Sequence, residues 1–208
     1  MLKGLLKTYF IPSFKNPGAK TFWLIVIGTI PIVIVGLLLK SYGMEELRSS
    51  KLIGWTILLY GLLLFTADHF GMTIRKIDHL TPLDAFLIGC AQCLALIPGT
   101  SRSGITVTMA RFLSMERREA AKFSMLLSIP AIIAAATLVA YEMWQNDSLT
   151  LITEAIDGIT YSFIASIVAI YVVMWWLKKA TFLPFVIYRI ALGGILLLDA
   201  YGCLSLTH

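Results

Sequence analysis

Seven consecutive residues, Pro98-Gly99-Thr100-Ser101-Arg102-Ser103-Gly104, gather three hydroxyls, one guanidinium and two glycines behind a helix breaker. Backbone and side-chain donors concentrated in this way suit an anion, most naturally a phosphate. Arg102 stands at the centre of that reading. Its planar fork offers paired donors to phosphate oxygens and it cannot be neutralised by losing a proton. Ser101 and Ser103 join it as the candidate catalytic residues, with Gly99, Thr100 and Gly104 as candidate binding residues. The hydroxyls are read as donors rather than nucleophiles, because no histidine lies near in sequence to activate them. Two plainer readings stand beside this one: the hydroxyls as helix-end caps, and Arg102 as a side chain that snorkels to an interface beside a Gly-Ser kink. Gln92 adds an amide to the segment leading into the loop, in reach of the loop or of a ligand.

Other chemistry-bearing residues carry less. Asp84 reads as a helix-start charge, Asp68 as the cap of a helix end, and Asp199 as a structural ion contact, with Arg189 only loosely placed on its face. Cys90 and Cys93 have the spacing of a metal or redox pair. They lie on an apolar segment with no second pair of ligands, and Cys203 is far away, so buried, unreactive thiols are expected. His69 and His79 fall in a basic loop beside Arg75 and Lys76, where solvated or interfacial histidines are commonplace, and His208 is terminal. The sequence offers no metal ligand set.

The elements that must position the loop are set by composition. Of 208 residues, 58% are hydrophobic and only 14% charged, which excludes an ordinary soluble domain. Apolar stretches near residues 22 to 40, 52 to 67, 120 to 141, 159 to 177 and 185 to 204 each approach the roughly 20 residues needed to cross a bilayer. An all-α membrane protein with five crossings follows. Residues 83 to 113 break the pattern, being two apolar pieces too short to cross and joined by the loop. With Arg75-Lys76 before them and Arg117-Arg118 after, they form a re-entrant helix-loop-helix if both flanks lie on one side. Irregular backbone at that depth needs a cavity or surrounding protein, and the second short helix aims its positive N-terminal end where Arg102 sits.

Charge sets orientation. Residues 142 to 158 hold Glu142, Asp147, Glu154 and Asp157 without a basic residue and are placed outside, while Lys178-Lys179, Arg117-Arg118-Lys122 and the lysine-bearing N-terminus are placed inside. Five crossings leave the C-terminus outside. The spread of Lys3, Lys7, Lys15 and Lys20 around Pro12 and Pro17 argues against a signal peptide. The net charge of +5 is a topology signal and an attraction to anionic lipid headgroups, with nothing that suggests nucleic acid. Trp23, Trp55, Trp144, Trp175 and Trp176 fall near span ends as interfacial anchors. Gly28, Gly36, Gly54, Gly61, Gly193 and Gly194 are expected to let helices approach, and Pro31 and Pro130 to bend theirs and open room for a long lipid tail.

Ala91-Gln92 followed by Ala95-Leu96-Ile97 and the loop resembles the second signature of the bacterial undecaprenyl-diphosphate phosphatases of the bacitracin-resistance type. Phe123-Ser124-Met125-Leu126-Leu127-Ser128-Ile129-Pro130-Ala131 resembles that family's proline-kinked helix. Ile27-Gly28-Thr29-Ile30-Pro31 resembles an earlier segment and Tyr188-Arg189 with Gly193 the last one. The resemblance covers essentially the whole chain. It implies an inverted-repeat membrane fold in the bacterial plasma membrane. The implied reaction is hydrolysis of a polyprenyl diphosphate to the monophosphate and phosphate, with a divalent cation (Mg or Ca) and a site open to the outer face. A homodimer is among the assemblies it permits. Family members also carry a first re-entrant unit with Glu-Gly-x-Thr-Glu and Ser-Ser-x-Gly-His stretches, and neither is present in this sequence. Ala91, Gln92 and Ala95 stand at the matching positions of the second unit. The expectation is therefore a chain that keeps the phosphate clamp, lacks the acid, base and metal ligands, and lacks the N-terminal part of the fold.

Two readings from other classes compete: a lipid-diphosphate transporter, since broken helices also bind anions in carriers, and a non-catalytic binding protein. Release of inorganic phosphate separates both from a hydrolase.

Overall fold

A computed structural model describes residues 16–40, 49–145 and 150–202. The N-terminal lysines Lys3, Lys7 and Lys15, Asp147 of the acidic stretch, Cys203 and His208 lie outside the described residues. Seven α-helices are described: α1 (Pro17–Lys40), α2 (Ser50–Phe70), α3 (Pro82–Cys93), α4 (Arg102–Phe112), α5 (Arg117–Gln145), α6 (Thr150–Trp176) and α7 (Leu183–Ala200). Short 3-10 turns at Ile77–His79 and Leu94–Leu96 flank α3. Five of the helices, α1, α2, α5, α6 and α7, are long and apolar enough to cross a membrane. They coincide with the five stretches expected from hydropathy.

The two short helices form a hairpin whose feet are sewn together. The Arg75 N–H donates to the Ser114 carbonyl at 3.0 Å and the Glu116 N–H to the Arg75 carbonyl at 2.9 Å. Arg111, fully buried at the end of α4, donates to the carbonyls of Asp68 at 3.2 Å and Gly71 at 2.7 Å, and to the carbonyl of Met115. The chain therefore leaves the hairpin beside the place where it entered. The start of α3 is fixed by a reciprocal cap: the Thr81 hydroxyl accepts the Asp84 N–H at 3.2 Å while the Asp84 carboxylate accepts the Thr81 N–H at 2.8 Å. Arg75 closes an ion pair on the same carboxylate.

One carboxylate joins four elements at this end. Asp68 at the end of α2 pairs with Arg117 at 2.7 Å and Arg111 at 3.2 Å, and its Oδ2 accepts the Phe182 N–H at 3.2 Å just before α7. Asp68 does more than close its own helix. It pins α4, α5 and α7 to α2. Above it, Leu64, Ile77, Leu80, Ala85, Ile88, Val107, Met115, Phe123 and Leu127 make a continuous apolar core between the hairpin and its neighbours.

Close helix approach is selective. α1 and α3 meet where a Cβ at Gly89 would lie 2.2 Å from the Gly28 carbonyl oxygen, and α2 meets α7 at Gly54, Gly61 and Gly193. At Gly36 and Gly194, also expected as close-approach positions, nothing lies within 4 Å. Cys90 is exposed on the flank of α3 rather than buried, and Cys93 donates weakly to the Gly89 carbonyl at 3.5 Å.

Candidate functional site

The tip of the hairpin lies against the N-terminal part of α2. The Thr56 hydroxyl reaches the Pro98 carbonyl at 2.8 Å. At roughly 1.5 Å per residue, Thr56 stands about 21 Å along α2 from Phe70, so the hairpin enters some two thirds of a helix about 31 Å long. Polar backbone at that depth must be satisfied by protein. The Thr100 N–H donates to the Ile97 carbonyl at 3.2 Å, and Gly99, with φ of 87°, makes the turn that a side chain would oppose.

Beyond the turn, Ser101 caps α4: its Oγ accepts the Gly104 N–H at 3.2 Å and lies 3.3 Å from Ser103 Oγ. The capping reading is thus realised, and it leaves the hydroxyl proton of Ser101 for another acceptor. The first N–H groups of α4 point out of the helix, as at any helix start. Below them a hydroxyl network holds the turn. Thr106 Oγ1 donates to the Arg102 carbonyl at 2.9 Å and contacts Ser124 Oγ at 2.6 Å, and Ser124 on α5 reaches the Ser103 carbonyl at 3.5 Å.

These groups open onto a cavity of about 310 Å³ lined by the polar residues Ser101, Ser103, Gly104, Ser124, Tyr188 and Arg189 and by the apolar residues Leu64, Val107, Ala121, Met125, Val173, Phe182 and Phe185. Its polar groups come from the start of α4, from Ser124 on α5 and from Tyr188 and Arg189 on α7, and the rest of its wall is apolar. Only the last turns of α6 reach it, through Val173.

Arg189 is the cation the cavity presents. Its Nη2 donates to the Gly99 carbonyl at 3.1 Å and its Nε to the Ile57 carbonyl at 3.4 Å. Its Nη1 lies 3.1 Å from where a Cβ on Gly104 would stand, so a side chain there would crowd the guanidinium against the helix start. Nothing local in the sequence ties Arg189 to the loop. The signal was present: a second arginine inside an apolar span needs an internal partner as much as Arg102 does.

Other expected site residues fall in distinct places. Arg102 opens α4 half-buried, does not line the cavity, and its side chain makes no hydrogen bond or ion pair among the described residues. Thr100 is buried and its hydroxyl is unpartnered there as well. Gln92 is completely buried away from the cavity, with neither amide atom hydrogen-bonded among the described residues. His69 and His79 stay at the feet: His69 stacks on Phe65, and His79 Nδ1 accepts the Lys76 N–H at 3.3 Å.

The profile of the family described as "Bacitracin resistance protein BacA" matches residues 1–195. The chain belongs to the BacA family. The chain is 43% identical over 202 residues to undecaprenyl-diphosphatase 1 of Rhodospirillum rubrum, covering 97% of this chain and 71% of that protein. It is 44% identical over 188 residues to the undecaprenyl-diphosphatase of Dinoroseobacter shibae (90% and 70%), and 41% identical over 183 residues to that of Alteromonas mediterranea (88% and 69%). As a BacA family chain it places the loop signature at the tip of a hairpin. The divalent cation implied by the family finds no fit in the cavity walls, which offer hydroxyls, a guanidinium and apolar groups but no carboxylate. Among the described residues, no three His, Cys, Asp or Glu side chains come together.

Proposed function

We infer that this chain hydrolyses undecaprenyl diphosphate to undecaprenyl phosphate and inorganic phosphate, returning the lipid carrier to cell-wall synthesis. One observation carries the reading: Ser101, Ser103 and Gly104 at the start of α4, together with Arg189, line one cavity whose remaining walls are mainly apolar. An anionic head group and an isoprenoid chain are the two halves of such a substrate. The terminal phosphoryl group lies at the helix start, where the dipole and fixed donors stabilise charge that grows as the bond to the bridging oxygen lengthens. Ser101 and Ser103 donate to its oxygens. Gly99, Thr100 and Gly104 shape the turn, and Arg102, outside the cavity lining and without a side-chain partner among the described residues, turns to the head group when it is bound and gains a charge-assisted bond.

The lining supplies charge neutralisation and alignment but no acid, base or metal ligand, so the water-activating group and the Mg or Ca site lie outside these residues. The basic feet, with Arg75, Lys76, Arg117 and Arg118, face the cytoplasm and the hairpin tip points toward the outer face of a bacterial plasma membrane. Partners are the polyprenyl diphosphate and the surrounding lipid.

The test is phosphate release from a polyprenyl diphosphate by purified protein in detergent, with the monophosphate product followed in parallel. Stoichiometric appearance of both supports hydrolysis. Tight binding of the diphosphate with neither product, in the presence of a divalent cation, would establish a binding or transport protein instead.

A further inference from the structure

Thr56 lies outside the loop signature, on a different helix, and in a sequence it is one more hydroxyl in an apolar span. A threonine inside a helix ordinarily satisfies itself on the carbonyl one turn back, and Thr56 Oγ1 stands 2.9 Å from the Ile53 carbonyl. It is also 2.8 Å from the carbonyl of Pro98 on the hairpin tip. The residue is 7% exposed, so neither contact is shared with bulk solvent. The next carbonyl, that of Gly99, is held by Arg189.

Two successive carbonyls of the loop are therefore gripped from two different helices, immediately before the residues that face the anion. The fit at this point is tight. A Cβ on Gly99 would lie 2.2 Å from Thr56 Oγ1 and 2.8 Å from the Ile53 carbonyl oxygen. The peptide after Pro98 cannot rotate without breaking the Thr56 bond or driving backbone into α2. Its orientation passes through Gly99 and Thr100 to the capping serine, Ser101, whose Oγ accepts the Gly104 N–H and fixes the first turn of α4.

We propose that Thr56 is a positioning residue for the phosphate loop, holding the Pro98 carbonyl so that the start of α4 is preorganised toward the head group. That this loop holds a diphosphate for hydrolysis rests on the hydrolase reading above; the mechanical role does not. Two arms separate them. Hydrogen exchange on the intact protein in detergent is read over residues 97–105: Thr56→Val, which keeps the shape and deletes the donor, is expected to speed exchange of the Thr100, Gly104 and Ile105 amides about tenfold, while Thr56→Ser restores wild-type exchange. In phosphate release from polyprenyl diphosphate, Thr56→Val is expected to lower kcat on the order of 10- to 100-fold, the scale associated with a small misplacement of a reacting geometry, with KM within about threefold. Thr56→Ser recovers kcat. Wild-type loop exchange in Thr56→Val overturns the proposal, and so does a Thr56→Ser variant as impaired as Thr56→Val. If the wild type releases no phosphate the hydrolase reading falls, and loop exchange alone decides the role of Thr56.

Discussion

Arg189 donates from Nη2 to the carbonyl oxygen of Gly99 at 3.1 Å, joining positions 90 apart in the chain. The same guanidinium leans its Nη1 over Gly104 and its Nε on the Ile57 carbonyl. It therefore braces the loop while offering an edge to the cavity. Arg189→Ala is expected to lower kcat/KM about 100- to 1000-fold, the loss usual for one preorganised donor, and to lower the thermal midpoint as well. Arg189→Lys keeps the charge but not the fork that spans two carbonyls, so it is expected to remain impaired in both. A lysine variant with wild-type turnover in the phosphate-release assay would show that charge alone matters.

Arg102 behaves differently because nothing among the described residues holds its side chain. Arg102→Ala is expected to cut turnover by a similar factor of roughly 100 to 1000 while leaving the thermal midpoint at or above the wild-type value, since a half-buried, unpaired charge is a burden on the fold. The contrast with Arg189→Ala is the measurement. A large fall in midpoint for Arg102→Ala would mean the residue is structural.

Hydropathy made the five long helices legible, and the loop's own chemistry located the hairpin, because apolar length and helix breakers act locally. What it left hidden depends on register between distant segments. Six glycines looked equivalent as close-approach positions, yet Gly36 and Gly194 meet nothing, whereas Gly89, not singled out, presses on the Gly28 carbonyl. Seven loop residues looked like one site. Ser101, Ser103 and Gly104 line the cavity and Arg102 does not, since successive residues at a helix start point about 100° apart. Arg189 and Thr56 were obscured for the same reason: their partners lie 90 and 42 positions away.

Asp84 sets an acid limit on the hairpin. Burial pushes its carboxyl up, but the Arg75 hydrogen bond, the Thr81 N–H and hydroxyl, and the Arg75 charge together outweigh that and leave it below the usual carboxylate range. A carboxylate whose folded value is depressed contributes stability that is fully present above about pH 4 and is lost as pH falls through the lower folded value. Unfolding in detergent is expected to become easier on acidification through that window, and Asp84→Asn to flatten the acid-side slope. The effect is at most about 1 kcal/mol because Arg75 is partly exposed. An unchanged slope in Asp84→Asn would assign the acid sensitivity elsewhere.

Asp68 carries the larger electrostatic load. Its carboxylate faces Arg111, which is fully buried, and Arg117, and it also accepts the Phe182 N–H that starts α7. Asp68→Ala strands a guanidinium with no water to solvate it, and removal of one partner from a buried pair costs about 3–5 kcal/mol. Asp68→Asn keeps an oxygen for the Phe182 N–H but not the charge, so its loss is expected to be smaller. The damage should also be felt at a distance. Phe182 and Phe185 line the cavity, and once the start of α7 is released, Arg189 on the same helix loses its register against Gly99. Asp68→Ala is accordingly expected to lower the thermal midpoint and to speed exchange of the Thr100 and Gly104 amides, although no contact joins Asp68 to the loop. Wild-type exchange at the tip in a variant with a lowered midpoint would show that the feet and the tip of the hairpin are mechanically independent.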